Sequence, residues 1–268
     1  MNTVFSFKFQ VAPLPGLANN RAFRYGDGLF ETMRLEQGHI QWLASHWERL
    51  RGGMMLLELP LPARFTPEYL EDAAQELAES NGLGNSARLR LQVWRGGEGL
   101  YTPVASQTEF LLEATALTDA AVPVLKNRVF FAETVQLAAS PLSPFKTVSA
   151  LPYVLAGLER QRRGADELIL GDNRGYVSEA TASNLFWWQS GSLFTPSLAS
   201  GCVAGVRREQ ILRRAAALQI PVAEGLYAKA ELLTAEAAFT CNVLAIGLLT
   251  QIENTPLHPA ALPAGLFE

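Results

Sequence analysis

The sequence predicts an α+β fold in two domains, and three observations support this prediction. Apolar residues alternate with period two at 87–94, as in a strand, whereas at 43–56 they recur with helical spacing. The chain has 268 residues, of which 49% are hydrophobic, and this suits one large domain or two modest ones. The stretch 115–123 (TALTDAAVP) is small and polar and ends in proline, as linkers do. We therefore expect a small α+β domain over 1–117 and a larger domain over 118–268.

The first domain is expected to contain a hairpin, two helices and two further strands. Residues 28–34 form the first strand, and a turn at Gln37-Gly38 leads to a second short strand at His39-Ile40. The helix at 43–56 is amphipathic. Another helix begins after Thr66, whose hydroxyl can cap it, and ends at Asn81-Gly82. Strands are predicted at 87–94 and 109–116.

The second domain is predicted to mix strands with two longer helices. A strand over Arg128–Leu137 precedes a helix at about Ser149–Arg163, which ends in a basic turn and a glycine. Two or three strands follow between Glu167 and Phe194. A helix begins near Val206, and Ala238–Ile246 is the final strand region.

Charge and composition exclude several classes of function. The net charge of −4 comes from 26 acidic and 22 basic residues, without the basic excess of a nucleic-acid binder. No run approaches the ~20 apolar residues of a membrane span, and the first residues lack the pattern of a signal peptide. Cys202 and Cys241 have no metal-type spacing. We expect a cytoplasmic protein that binds no nucleic acid, membrane or metal.

Two residues are candidates for chemistry at an aldehyde-bearing ligand. Lys146 is one of only four lysines and lies between an apolar strand and a helix. An amine in partly apolar surroundings has a lowered pKa and becomes a nucleophile; the alternative is a surface lysine in a loop. Glu179 lies among small and apolar residues, where a buried carboxylate needs a cationic partner. Its alternative is a solvated acid in a turn.

Three further segments are candidates for binding an anion. The glycine-bearing loop before Val206 opens a helix, whose free N–H groups can bind an anion. Thr240-Cys241-Asn242 offers small hydrogen-bonding groups at the end of an apolar strand, or is an ordinary turn. Arg49, on the 43–56 helix, can face an anion or form a surface ion pair.

The order of these candidates along the chain is more informative than any one of them. With the motifs YGDGLFE, HWERL, FKTVSALPYVLA and VSEATASNLF, it resembles the fold-type IV family of pyridoxal-phosphate enzymes over nearly the whole chain. The family contains branched-chain and D-amino-acid aminotransferases and aminodeoxychorismate lyase. The resemblance implies the family's two-domain architecture, with a small α+β domain and a larger, cofactor-binding domain whose β-rich core is flanked by helices. It also implies a homodimer whose site is lined partly by the neighbouring small domain.

The resemblance also implies a role for each candidate toward pyridoxal 5′-phosphate. Lys146 resembles the lysine that holds the cofactor and later carries protons, and Glu179 the acid that pairs with the pyridine nitrogen. Arg49 resembles the arginine that binds the phosphate. Val206 and Arg207 occupy the positions whose backbone N–H groups hold the phosphate, and family members commonly have threonine in place of Arg207. Cys241 and Asn242 match the second loop on the phosphate side.

Within the family, the chain resembles aminodeoxychorismate lyase most. The loop at 240–244 and the glycine-rich segment at 95–101 are similar to those of the lyase, and the segment lacks the carboxylate-binding Arg-x-His of D-amino-acid aminotransferases. The predicted reaction is the elimination of pyruvate from 4-amino-4-deoxychorismate to give p-aminobenzoate, a step of folate biosynthesis. The alternatives are an aminotransferase that uses a D- or branched-chain amino acid with 2-oxoglutarate, and a non-catalytic cofactor-binding scaffold.

The lyase resemblance adds candidates for catalysis and for binding the amino substrate. Thr32 resembles a lyase hydroxyl near the cofactor and is the second predicted catalytic residue, beside Lys146. Tyr25, Phe30 and Arg95 are the predicted substrate-binding residues; the alternative for Phe30 and Tyr25 is that they only fill the core of the small domain.

Overall fold

The computed structural model describes residues 20–104, 107–117 and 123–267. The elements of the N-terminal part, up to residue 117, are α1 (Arg21–Tyr25), β1 (Gly28–Glu36), β2 (His39–Ile40), α2 (Leu43–Leu56), α3 (Pro67–Ser80), β3 (Ala87–Gly96) and β4 (Gln107–Thr115). The four strands form one antiparallel sheet of order β2-β1-β3-β4, with helices packed on one of its faces.

The four-stranded sheet has one face covered by helices and one face free for a site. Along β3 the residues Leu89, Leu91 and Val93 are buried, and they pack with Met33 and Leu50 under α2 and α3. Because successive side chains of a strand point to opposite faces, the residues between them point away from the helices. The opposite face therefore carries most of the polar residues of β1 and β3, whereas Glu31 and Arg95 have the parity of the helix-covered face.

The elements of the C-terminal part are β5 (Val124–Lys126), β6 (Val129–Leu137), α4 (Leu151–Arg162), β7 (Glu167–Asp172), β8 (Val177–Ala180), β9 (Asn184–Gln189), β10 (Ser192–Pro196), α5 (Val206–Ala217), β11 (Val222–Gly225), α6 (Lys229–Leu232), β12 (Ala237–Cys241), β13 (Ile246–Leu249), β14 (Gln251–Ile252) and β15 (Thr255–Pro256). They include a six-stranded sheet of order β11-β10-β9-β12-β13-β5 and a three-stranded sheet of order β6-β7-β8.

The two sheets of this part pack against each other and against helices. Ile169, Val177 and Trp187 belong to a core that joins the two sheets. On the other side of the six-stranded sheet, Phe186 and Phe239 stack with their ring centroids 5.1 Å apart and pack with α5. Helix α4 packs on β6 and β7. This β-rich core flanked by helices is the architecture that the family resemblance implies.

The structure differs from the prediction in the second half of the chain. Four strands, β7 to β10, replace the predicted two or three, because turns at Gly175 and Gly191, both with positive φ, divide short strands of four to six residues. The predicted final strand region is the hairpin of β12 and β13. Its turn is closed by Asn242, whose Oδ1 accepts hydrogen bonds from the N–H groups of Leu244 and Ala245.

The short elements α1, β5, β11 and α6 are not predicted from the sequence, since their length gives too little periodicity. The predicted linker at 115–123 falls largely on 118–122, which lie outside the described residues, so the boundary at 117/118 stays a prediction. Residues 1–19, in which no signal peptide is predicted, also lie outside them. Among the helices of the described part of the chain, none is long and apolar enough to cross a membrane.

Candidate active site

A cavity of about 650 Å³ lies between the polar face of the four-stranded sheet and the loops that surround the start of α5. It contains the chemistry-bearing residues that the sequence predicts, with the exception of Tyr25 and Arg95. The predicted residues that line the cavity are Phe30, Thr32, Arg49, Lys146, Glu179, Val206, Arg207, Cys241 and Asn242.

Lys146 is held by the loop between β6 and α4, which pairs with the start of β1. The carbonyl oxygen of Lys146 accepts a hydrogen bond of 2.8 Å from the N–H of Phe30, and Val148 N–H donates to Gly28 O at 3.0 Å. The Nζ atom lies 4.6 Å from the centroid of the Phe30 ring. Burial, assisted by the charge of Arg49, lowers the pKa of Lys146 to about 8. About one-tenth of the amine is therefore neutral and nucleophilic at pH 7, far more than for an ordinary lysine.

Glu179 lies on β8 and is fully enclosed. Its Oε1 accepts a hydrogen bond of 2.6 Å from the Tyr153 hydroxyl. Its Oε2 accepts one of 3.1 Å from Val203 N–H and one of 3.4 Å from Asn184 Nδ2. Burial raises the pKa of Glu179 to about 7, although these hydrogen bonds and the charge of Lys146 act in the opposite direction. A cation placed beside this carboxylate would offset the cost of burying its charge.

Arg49 forms a buried ion pair that sequence reasoning missed. Its Nε donates to Glu31 Oε1 at 2.8 Å, its Nη2 donates to Glu31 Oε2, and its Nη1 donates to the Ala204 carbonyl at 2.8 Å. His46 Nδ1 lies 2.7 Å from Glu31 Oε2. Burial alone would raise the pKa of Glu31, but the charge of Arg49 and the hydrogen bonds from His46 and Arg49 lower it to about 2.

The sequence indicates which face of its strand or helix each of these residues occupies, but not that the faces meet. Glu31 alternates with Leu29 and Met33, which places it on the helix-covered face of β1. His46 and Arg49 are three residues apart on α2 and so share one face of that helix. Only the packing of α2 on β1 decides that these two faces meet.

The start of α5 provides backbone donors to the cavity. The first N–H groups of a helix have no partner within it, and the N-cap residue Gly205 supplies no side-chain cap. A Cβ at Gly205 would lie 1.9 Å from Asn184 Oδ1, so that only glycine fits the close approach of this loop. Thr181, which also lines the cavity, has a buried Oγ1 with no hydrogen-bond partner among the described residues.

Asn242 holds the β12–β13 turn, which the sequence predicts to lie on the phosphate side. Its Nδ2 donates to Ala182 O at 3.1 Å and to Ser183 Oγ at 3.0 Å, while its Oδ1 accepts the two N–H groups of the β12–β13 turn. Both ends of the Asn242 side-chain amide thus form hydrogen bonds within the protein, and these bonds join the 182–183 loop to the turn. Cys241 is buried at the end of β12, where burial raises its pKa to about 12 and keeps the thiol neutral.

Tyr25 and Arg95 do not line the cavity, in contrast to their predicted contact with substrate. Arg95 is buried and donates from Nε to Asp27 Oδ2 at 3.1 Å and from Nη1 to Glu58 O at 3.3 Å. The Tyr25 ring packs against Tyr101, with ring centroids 5.5 Å apart. Arg95 therefore forms an ion pair with Asp27 and stabilises the segments next to Asp27 and Glu58.

Two cavity residues that sequence reasoning did not select are Arg88 and Arg90 of β3. They lie two residues apart on the polar face, and the Arg90 guanidinium lies over the Phe30 ring at 4.1 Å from its centroid. Thr32 pairs with Arg90 in the β1–β3 register, and Arg34 with Arg88. Paired guanidinium groups recognise carboxylates. The alternation in ARLRLQV indicates a cationic face, but not that this face borders a cavity.

Comparisons with known proteins show the family to which the chain belongs. Residues 28–249 match the family described as amino-transferase class IV. Over 84% of this chain and 82% of its own length, the aminodeoxychorismate lyase of Vibrio harveyi is 27% identical. The solved 4-amino-4-deoxychorismate lyase of Pseudomonas aeruginosa is 29% identical, with a TM-score of 0.78 and coverage of 92% of this chain and 90% of that one.

An aminotransferase is similar as well. The branched-chain amino acid aminotransferase from T.th., solved with pyridoxamine 5′-phosphate, is 25% identical, with a TM-score of 0.76 and coverage of 89% of this chain and 80% of that one. The chain belongs to the class IV aminotransferase family and is a pyridoxal-phosphate-dependent enzyme. Its relatives include both lyases and aminotransferases, so that family membership leaves the substrate open.

The donor set of the cavity fits pyridoxal phosphate. The amine of Lys146 suits the aldehyde, and the enclosed carboxylate of Glu179 suits the ring nitrogen. The helix start at Val206 and the unpartnered hydroxyl of Thr181 offer neutral donors for the phosphate. Each part of the cofactor thus has a matching group in one cavity.

Proposed function

We propose that this protein is an aminodeoxychorismate lyase, which eliminates pyruvate from 4-amino-4-deoxychorismate to give p-aminobenzoate. The observation that supports this best is the pair Arg88 and Arg90 beside Thr32 in the cavity. This substrate carries two carboxylates, one on the ring and one on the pyruvate fragment. Two neighbouring guanidinium groups suit such a dianion, whereas in the aminotransferase reaction the D- or branched-chain amino acid brings one carboxylate and only the 2-oxoglutarate brings two.

The cofactor, when bound, supplies an electron-withdrawing ring that stabilises negative charge on the carbon next to the substrate's amino group. Lys146 holds the cofactor and, once released from it, accepts the proton from that carbon. Its lowered pKa keeps the amine able to act as a base near neutral pH. Glu179 keeps the ring nitrogen protonated by facing it as an anion.

Thr32 completes the elimination on the other side of the substrate. As the bond between the ring carbon and the oxygen of the pyruvate fragment breaks, the Thr32 hydroxyl donates a hydrogen bond to that oxygen. The departing oxygen takes up one proton, which balances the one that Lys146 accepted, and the enol form of pyruvate converts to pyruvate. The ring has then lost one proton and one oxygen substituent and becomes aromatic, which favours the reaction.

The second candidate function is an aminotransferase that acts on a D- or branched-chain amino acid with 2-oxoglutarate. The similarity to the solved branched-chain aminotransferase favours it. The two reactions share the first proton transfer to Lys146 and differ in where the proton goes next. In an aminotransferase Lys146 would have to deliver that proton to a second position, and no group would need to leave from the neighbouring carbon.

The deciding experiment supplies the purified enzyme with aminodeoxychorismate and measures p-aminobenzoate. In parallel, D-alanine or leucine is supplied with 2-oxoglutarate, and glutamate is measured. Formation of p-aminobenzoate supports the lyase, whereas glutamate without p-aminobenzoate supports the aminotransferase. A protein that stays colourless after addition of pyridoxal phosphate would instead be the non-catalytic scaffold.

We further propose that two copies of the chain form a homodimer. Helix α4 exposes an apolar row at helical spacing: Leu151 is 72% exposed, Val154 54%, Leu155 51% and Leu158 46%. A row of this kind favours burial against another surface. Since α4 follows the Lys146 loop directly, a second copy seated there lies next to the cavity and can help to close it.

A further inference from the structure

The charge of Arg49 is already balanced within the chain. Its guanidinium and the Glu31 carboxylate form a two-point ion pair, with the two side chains 8% and 3% exposed. Because the pKa of Glu31 is about 2, the carboxylate stays ionised at every physiological pH. A phosphate dianion that approaches Arg49 therefore meets a pair whose net charge is zero, and gains less from it than from a free cation.

Arg207 is a second cation on the same cavity, and it has no such partner. It belongs to the first turn of α5, where the backbone donors converge. Its Nη1 donates to the Asn242 carbonyl at 3.3 Å, and its Cζ lies 5.6 Å from the Trp42 ring centroid. Within the described part of the chain, no carboxylate forms an ion pair with it. Burial lowers the pKa of Arg207, as expected for a charge that water solvates poorly.

We propose that the Arg207 guanidinium is a further counter-ion of the cofactor's phosphate, beside the Arg49–Glu31 pair. Arg49 also holds the loop before α5 through the Ala204 carbonyl, which lies next to Gly205. Arg207 and the helix start then supply the uncompensated positive charge, about +1 from the side chain and ~+0.5 from the helix dipole. A cation at position 207 thereby replaces the hydroxyl of the threonine that is common in the family.

This inference depends on cofactor binding alone. It holds for a lyase and for an aminotransferase alike, so that a failed lyase assay leaves it standing. Its test is a comparison of two aldehydes, pyridoxal phosphate and pyridoxal, which differ only in the phosphate. Both react with Lys146, and the ratio of their dissociation constants isolates the contribution of the phosphate.

The experiment measures both dissociation constants from the quenching of tryptophan fluorescence in the wild type and in Arg207→Thr. We expect Arg207→Thr to bind pyridoxal phosphate about 5- to 10-fold more weakly, since a charged donor is replaced by a neutral hydroxyl. Pyridoxal binding should change less than about 2-fold. The control is Arg213→Thr, on the exposed side of α5 and paired with Glu209, which should leave both constants unchanged.

Two further variants keep the test decisive if Arg207→Thr does not fold. Arg207→Lys keeps a cation and should retain most of the preference for the phosphorylated aldehyde, whereas Arg207→Met keeps the stem and should lose that preference. An equal loss for both aldehydes overturns the proposal. So does unchanged cofactor affinity with a raised KM for substrate, because Arg207 would then bind a substrate carboxylate.

Discussion

The hydroxyl oxygen of Tyr153 lies 2.6 Å from Oε1 of Glu179, so a phenol of α4 is joined to the carboxylate of β8 that faces the cavity. Tyr153 is the donor, and its own pKa is raised by burial and by the neighbouring charge of Glu179. The hydrogen bond favours the ionised form of Glu179, which burial opposes. Tyr153 therefore helps to keep the negative charge of Glu179, which the proposed contact with the ring nitrogen of the cofactor requires.

Removing the Tyr153 hydroxyl should leave the ring nitrogen of the bound cofactor protonated less often, so that the ring withdraws electrons less strongly. In Tyr153→Phe, the pKa of Glu179 should rise above about 7, and more of the carboxyl groups should be protonated at neutral pH. We expect kcat to fall about 10-fold, in line with the loss of one hydrogen bond to a charged group. The pH dependence of kcat and of the cofactor's visible absorbance would both show the shift. Tyr227→Phe is the matched control, since Tyr227 donates to Ala223 O instead.

Replacement of Lys146 should abolish attachment of the cofactor and turnover. In the wild type, borohydride should attach the cofactor permanently to the peptide that carries Lys146, as mass spectrometry would show. The rate at which Lys146 reacts with the cofactor's aldehyde should rise with pH and level off above pH ~8, because only the neutral amine reacts. Lys146→Ala should show neither effect, and Lys229→Ala should behave as the wild type. Near-normal turnover in Lys146→Ala would refute the mechanism.

The Glu31 ion pair should make stability depend on acidic pH. The folded-state pKa of Glu31, about 2, lies below its ordinary value of 4.5, so the pair stabilises the fold above pH 4.5. This stabilisation, about 3 kcal/mol, should be lost as the pH falls from 4.5 to 2. Glu31→Gln should lower the free energy of unfolding at pH 7 and flatten this part of the pH profile, which denaturant titration measures. An unchanged profile would show that the pair contributes nothing.

The two arginines of β3 should determine the affinity for the substrate's carboxylates. Arg88→Gln and Arg90→Gln should each lower kcat/KM for aminodeoxychorismate by about 10- to 100-fold, mainly through KM. The dissociation constant for pyridoxal phosphate should stay within about 2-fold of the wild type. Arg64→Gln, an exposed residue of the same half of the chain, is the control. If both variants keep wild-type kcat/KM, these arginines do not recognise the substrate.

The apolar row on α4 should be required for the dimer. A charge at an exposed apolar position, Leu155→Glu, should convert the dimer to a monomer, as light scattering would detect, because burying that charge costs several kcal/mol. Ser80→Glu, at the end of α3, gives the comparison with a charge placed outside the row. A dimer that survives Leu155→Glu would place the interface elsewhere.

Local sequence patterns were sufficient to predict most of the long elements and the chemical groups of the site. Periodicity and capping act over a few residues, which is why the α2 and α3 helices and the long strands β1, β3 and β6 match their predictions closely. The motif order around Lys146 and Glu179 identified the family, since that information lies in residue types and their spacing.

The pairing of those groups depends instead on the packing of distant segments. Glu31 and Arg49 are separated by 18 residues, and Tyr153 and Glu179 by 26. Contacts over such separations depend on how sheets and helices pack, which no local pattern encodes. The same reason explains why Arg95, predicted to bind substrate, lies outside the cavity, while Arg88 and Arg90 of the same strand line it: alternation gives two faces, and only packing decides which one borders the site.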